Sequence, residues 1–261
     1  MPALASILAE TRARVATLVR RGGELAQLAR LAPPGRPFLQ NPGATVGVIA
    51  EVKRRSPSQG AIRPDLDPAH SARGYERGGA AAVSVLTEKR HFGGSLEDLE
   101  RVRAAISLPV LRKDFIINEV QILEARIAGA SAVLLIARIL APAQLAVLAR
   151  FARDFKLTPL IEVHDVAELD AAFKAAPEVI GVNARDLDTL EMHPRQAEEI
   201  MRLIPSTMTL VAESGVQTRQ DVERLAGAGA DFILVGTSIT RQDDPEQAVR
   251  ALIGVRRQPR P

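Results

Sequence analysis

Ala128-Gly129-Ala130-Ser131-Ala132-Val133-Leu134-Leu135-Ile136 joins the end of a helical pattern to a continuous apolar run, with one glycine at the junction. Glycine accepts the left-handed backbone that ends a helix, and the run after it shows no polar alternation, so it reads as a strand covered on both faces. Ala228-Gly229-Ala230 ahead of Phe232-Ile233-Leu234-Val235 repeats the arrangement near the C-terminus.

Reading outward from these two places gives eight such runs. They are Val46 to Ala50, Ala81 to Leu86, Pro109 to Leu111, Ala132 to Ile136, Pro159 to Val163, Val179 to Val182, Met208 to Ala212 and Phe232 to Val235. Each interval has room for one helix and carries helix-start signals, such as Ser95-Leu96-Glu97-Asp98 and Thr218-Arg219-Gln220-Asp221. A repeated strand–helix unit with no break in composition predicts an α/β fold with a single (β/α)8 TIM barrel over residues 46–255. An open doubly wound sheet is the alternative, but no G-x-G-x-x-G opens a helix after the first strand. Residues 1–45 read as an N-terminal helical extension packing on the barrel: a helix from about Ala3 to Leu31 interrupted at Gly22-Gly23, then turns at Pro33-Pro34-Gly35 and Asn41-Pro42-Gly43. Residues 256–261 read as a frayed basic tail.

Composition narrows the function. The 261 residues include 46% hydrophobic and 25% charged side chains, an ordinary globular balance, and no apolar stretch is long enough to span a bilayer. Glu10 interrupts the apolar patch from Leu4 to Ala9 and no basic region precedes it, which argues against a secretory signal and for a cytoplasmic protein. The absence of cysteine excludes a disulfide framework, thiolate catalysis and cysteine-ligated metal. A net charge of +3 and 3% aromatics leave neither a basic footprint nor a stacking platform for nucleic acid. Of the histidines, His70, His91, His164 and His193, no two stand at a helical ligand spacing or beside an acidic cluster, so no metal site is expected. The expected state is a monomer or weak homodimer with no membrane partner.

Barrels present their chemistry at the C-terminal ends of the strands. Strand one ends Glu51-Val52-Lys53, strand three Arg112-Lys113-Asp114, strand five Glu162-Val163-His164, strand six Asn183-Ala184-Arg185 and strand seven Glu213-Ser214-Gly215. Residues two apart share a face of a strand, so Glu51 with Lys53 and Asn183 with Arg185 can point into one opening. Such a set is either a neutralising ion-pair network or a proton-transfer site. Lysine usage favours the second: the chain has five lysines against 29 arginines among its 34 basic residues, yet keeps Lys53 and Lys113 directly beside arginines. Lysine gives up a proton when its pKa is lowered, as among other cations; arginine does not. His164 either faces the mouth or supports it from behind. Ser214-Gly215 and Gly236-Thr237-Ser238 after strands seven and eight place glycines and hydroxyls where many barrels bind phosphate, with Ser56 and Lys53 able to add a hydroxyl and a charge. Phe92, in a long loop after strand two, is a packing aromatic or a lid over an aromatic substrate.

With these residues in view the chain resembles the indole-3-glycerol phosphate synthase family. The matching stretches are Ile49 to Ser58, Ala82 to Glu88, Phe92 to Ser95, Leu111 to Phe115, Leu160 to His164, Gly181 to Leu187 and Val211 to Gly215, in order through nearly the whole barrel. The resemblance implies a carboxy-lyase of tryptophan biosynthesis that acts on 1-(2-carboxyphenylamino)-1-deoxyribulose 5-phosphate. Its products would be indole-3-glycerol phosphate, carbon dioxide and water, formed without a cofactor. By position it implies Lys113 as general acid in ring closure, Glu162 and Lys53 in dehydration, and Glu51 and Asn183 as orienting groups. Arg185, Glu213 and Ser214 would complete the polar mouth. Ser56, Lys53, Gly215, Gly236 and Thr237 would hold phosphate, and Phe115, Leu134, Leu187 and Phe92 would flank the ring. Ala184 stands where the family often has a second Asn, and Ser6 to Val19 carries arginines where a lysine-rich pattern is usual. Another phosphate-binding barrel, such as a sugar-phosphate isomerase, or a catalytically silent binding barrel would have no need of both Lys53 and Lys113.

Overall fold

The continuous apolar runs become strands because each has two apolar faces to bury. A computed structural model describes residues 3–39 and 43–260. Its barrel strands are β1 (Gly47–Val52), β2 (Ala82–Leu86), β3 (Val110–Lys113), β4 (Ala132–Ile136), β5 (Thr158–Val163), β6 (Val179–Asn183), β7 (Thr209–Glu213) and β8 (Phe232–Val235), and Arg55–Ser56 pairs antiparallel with Gly60–Ala61 outside the barrel. The barrel strands all pair in parallel with their neighbours, and β1 pairs with both β2 and β8, which closes the barrel. Ile49, Leu111, Leu134, Leu160, Val179, Val211 and Leu234 pack together in the barrel interior. Val48, Val83, Val133, Ile161, Ile180, Leu210 and Ile233 belong to the larger cluster shared with the surrounding helices. This two-sided burial is why the runs do not alternate with polar residues.

Several strands continue past the last apolar residue. Glu51, Lys113, Glu162, Asn183 and Glu213 all lie within the backbone ladder rather than after it. A charge at a strand end is compatible with the ladder when its side chain faces the open mouth, so the apolar run underestimates strand length where the strand carries chemistry.

The start signals act as caps. Ser95 Oγ accepts from the Asp98 backbone N–H, and Thr218 and Asp221 form a reciprocal capping box. The N-terminal segment folds as α1 (Ala3–Leu18), one 3-10 turn (Val19–Arg21) and α2 (Gly22–Leu31), so the break falls one turn earlier than Gly22-Gly23, which instead begin α2. Leu4, Ile7, Thr11 and Val15 form the buried stripe of α1 at helical spacing. Leu25 and Ala29 of α2 pack on Val120 and Leu123 of the helix Glu119–Ile127. Among the expected turns, residues 40–42 lie outside the described residues. No described helix is long and apolar enough to cross a membrane.

Of the tail read as fraying, residue 261 lies outside the described residues, and residues 256–260 are instead docked on the face opposite the mouth. Arg256 bridges to Thr45, and Arg260 donates to the carbonyls of Gly229 and Met208 and to Asp231 Oδ2 at 2.9 Å. Asp231 is 2% exposed, also pairs with Arg257, and accepts the Leu210 N–H. A basic tail reads as solvated unless a buried carboxylate awaits it, and no local pattern reveals one. Asp231→Ala strands Arg260 without its partner and is expected to lower unfolding free energy by about 3 kcal/mol, read as a shifted midpoint in chemical denaturation.

Candidate active site

The charged strand ends converge. Glu51, Lys53, Lys113, Glu162, Asn183, Arg185, Glu213 and Ser214 line one cavity at the C-terminal mouth, together with Ser56, Gly215, Gly236 and Thr237. Phe92, Phe115, Leu134 and Leu187 are on the same wall. These candidate residues read from the sequence thus meet in one place, though six strands and several loops deliver them.

At the centre is Lys113. Its Nζ lies 3.0 Å from Glu162 Oε2 and 3.3 Å from Glu213 Oε2. The expected setting among cations is wrong. Arg112, one residue away on the strand, points to the opposite face. There its guanidinium is fully buried and bonded to Thr87, Asp114 and the Gln121 carbonyl. Burial alone would lower the Lys113 pKa, but Glu162, Glu213 and Glu51 outweigh it and hold the ammonium well above its ordinary range. Lys113 is therefore a retained cation and not a lysine primed by like charge.

The two carboxylates on Lys113 differ. Burial would raise Glu162, but Lys113 and then His164 hold it below the ordinary carboxylate range. Burial pushes Glu213 upward, Lys113 opposes, and the Glu162 charge beside it pushes the same way as burial. The surroundings thus favour the anion at Glu162 and the acid at Glu213, the kind of asymmetry that separates base and acid roles between neighbouring carboxylates. Gly181 permits it: a Cβ there would stand 2.2 Å from Glu213 Oε1.

Toward β8 a second pair forms, with Lys53 Nζ 2.8 Å from Glu51 Oε1. A Cβ on Gly236 would come 2.5 Å from Glu51 Oε1 and 3.1 Å from Lys53 Nζ, so this glycine is required by close approach. Ser214 and Gly215 both take positive φ, 68° and 80°, which turns the chain sharply after β7. Ser238 Oγ donates to the Val216 carbonyl and ties that turn to the short helix Thr237–Thr240. Gly236→Ala is expected to lower kcat/KM by about 10- to 100-fold by displacing the Glu51–Lys53 pair, with thermal stability little changed; steady-state kinetics and a melting curve check it.

The apolar wall is built by Phe115, Leu134 and Leu187, and Phe92 stands 6.2 Å from Phe115 between ring centroids. Among the residues here that were not foreseen, two come from outside the barrel. Leu4 and Ile7 of α1 line the cavity, so the extension covers the mouth. It is fastened by Arg14 to Asp114 at 3.1 Å and by Glu10 to Arg90 at 2.6 Å. The buried stripe of α1 was the available signal, but a stripe does not say what it packs against.

Contrary to expectation, histidines do sit beside acidic groups: His164 lies between Glu162 and Glu168, and Glu10, Glu88 and His91 bring possible ligand atoms within 4.8 Å of one another. These groups have other work. Glu88 accepts the backbone N–H groups of Arg90, His91 and Phe92, which shapes the loop that carries Phe92, and Glu10 pairs with Arg90.

The comparison with known proteins now decides the family. The family model described as indole-3-glycerol phosphate synthase matches residues 4–252. The chain belongs to the indole-3-glycerol phosphate synthase family. A member from Nocardioides sp. is 49% identical over 230 residues, covering 88% of each chain. One from Mycolicibacterium smegmatis is 48% identical over 255 residues, covering 96% of this chain and 93% of that one. Among solved structures, 3-hexulose-6-phosphate synthase from Salmonella typhimurium superposes with a TM-score of 0.63 at 15% identity, covering 79% of this chain and 96% of that chain. Thiamine phosphate pyrophosphorylase from Pyrococcus furiosus gives 0.61 at 15% identity, with 79% and 93% covered. At such low identity these two speak for the barrel alone.

Proposed function

We propose that this chain converts 1-(2-carboxyphenylamino)-1-deoxyribulose 5-phosphate into indole-3-glycerol phosphate, carbon dioxide and water, as the names of its relatives indicate. The observation that carries the reading is a buried ammonium, Lys113, held between the carboxyl groups of Glu162 and Glu213 at the floor of a cavity with an apolar wall.

Ring closure needs an electron-rich aromatic carbon to attack a ketone, so negative charge develops on the ketone oxygen. Lys113 is the general acid there. Its ammonium is a weak acid toward the ketone itself but a competent donor to the forming alkoxide, and in a low-dielectric site it stabilises that charge strongly. The lone pair of the aniline nitrogen drives the attack and leaves that nitrogen as an iminium, which takes up the carbon–carbon bond pair when the carboxyl group departs as carbon dioxide and the ring regains its aromaticity, so no bound electron sink is required. Dehydration then removes a hydroxyl and a ring proton: Lys53 gives its proton to the departing hydroxide, and ionised Glu162 takes the ring proton. Glu213, held as the acid, returns a proton to Lys113. Glu51 orients Lys53, and the Asn183 side chain, which accepts from the Arg185 backbone N–H at 3.0 Å, fixes the loop that presents Arg185. The phosphate group fits beside Ser56, Lys53, Gly215, Gly236 and Thr237, while the anthranilate ring fits against Phe115, Leu134, Leu187 and Phe92.

Purified protein mixed with this substrate and nothing else is expected to show indole fluorescence replacing that of the anthranilate, with one carbon dioxide per product. Substrate that binds yet stays unchanged would dismiss the reading.

A further inference from the structure

Lys113 alone does not distinguish Glu162 from Glu213. Its Nζ is almost equidistant from the two, at 3.0 and 3.3 Å, so it stabilises either anion to a similar degree. The asymmetry comes from behind the site. His164, two residues beyond Glu162 at the end of β5, has a side chain only 2% exposed, with Nε2 3.2 Å from Glu162 Oε1. That oxygen is not the one Lys113 touches. Its other nitrogen, Nδ1, lies 3.5 Å from Glu168 Oε2. Neither nitrogen meets strict hydrogen-bond alignment, yet each faces a carboxylate oxygen at close range, so hydrogen bonding and charge act in the same direction.

Glu168 is itself held: it accepts the His164 backbone N–H at 2.7 Å and pairs with Arg138 Nε at 2.8 Å. Arg138 also pairs with Asp165 and Asp186, which fixes it against the loops after β5 and β6. His164, Glu168 and Arg138 are not on the cavity wall. The remaining charges facing this group are Lys113 from β3, Glu213 from β7 and, through Lys113, Glu51 from β1.

We propose that His164 is a positioning residue of this site: a buried imidazolium, braced by Glu168 and Arg138, that orients Glu162 and assigns it the negative charge of the Glu162–Glu213 pair. The role deepens the reaction proposed above, since it presumes Glu162 as the proton acceptor. An imidazole between two carboxylates is the more strongly favoured as a cation; although burial opposes charge, Glu162 and Glu168 raise its pKa to about 9.

His164→Gln and His164→Asn remove the cation, and Glu168→Gln removes its brace. In the first two, kcat is expected to fall about 10-fold or more at neutral pH with KM within about twofold, as when a supporting group behind a reactive one is lost. The acid limb of the kcat profile should also move upward by about one pH unit, because Glu162 then protonates more readily; Glu168→Gln should give a smaller shift of the same sign. A purely structural role would lower the melting temperature without moving the acid limb. Parent-like kcat with an unmoved limb in His164→Gln overturns the proposal. Should that variant not fold, nitrogen-resolved NMR of the parent protein decides: an imidazolium at pH 7 supports the role and a neutral ring overturns it. If the parent does not turn over the substrate, the proposed reaction fails, while the NMR measurement still tests His164.

Discussion

Lys113→Met is expected to lower kcat by about 10³- to 10⁴-fold while an unreactive substrate analogue still binds within a few-fold of its parent affinity. The separation follows from where the contacts lie. Phosphate is proposed to sit beside Gly215, Gly236 and Thr237 and the ring against Phe115, Leu134 and Leu187, so most ground-state binding survives the loss of one ammonium. Transition-state stabilisation does not, because the cation that meets the forming alkoxide is gone. The fold should persist: Met fills a comparable volume, and Glu213 and Glu162 can share the proton that the missing charge no longer balances. Single-turnover fluorescence gives the rate and titration with the analogue gives the affinity. Equal losses in both would move Lys113 from chemistry to binding.

Gly181→Ala is expected to cost about 100-fold in kcat, with the melting temperature within a few degrees of the parent. Across the ladder Gly181 stands opposite Glu162, and its missing side chain leaves the space through which Glu213 reaches Lys113. An alanine Cβ would lie 2.2 Å from Glu213 Oε1 and 3.3 Å from its Cδ. The carboxylate must swing aside, away from both Lys113 and Glu162. The backbone itself loses nothing, since an extended strand suits alanine better than glycine. Parent-like turnover in this variant would mean that Glu213 need not occupy its observed position, and would remove it from the proton path.

The barrel was legible because its determinants are local: an apolar run such as Ala132 to Ile136, a glycine such as Gly129 at φ 82°, a cap such as Ser95. The site was legible in membership for the same reason, as polar residues placed just where a run ends. Its electrostatics were not. Lys113 and Glu162 are 49 positions apart, so no window contains both, and the adjacent Arg112 misled because neighbours on a strand face opposite ways. The place of Leu4 and Ile7 over the mouth, the staple of Glu10 and Glu88 around His91, and the anchoring of Arg260 on Asp231 likewise depend on partners far along the chain.

The pairing of β1 with β8 has an outcome for how the molecule is made. The ribosome releases Lys53 and Lys113 with the first half of the ring, and Glu162 and Glu213 with the second. Until the last strand docks beside the first, Gly236 is not held against the Glu51–Lys53 pair and the mouth stays open on that side. A nascent chain therefore has no partial activity to display, and the slow, long-range seam between its first and final strands is the step at which an inert polypeptide becomes a catalyst.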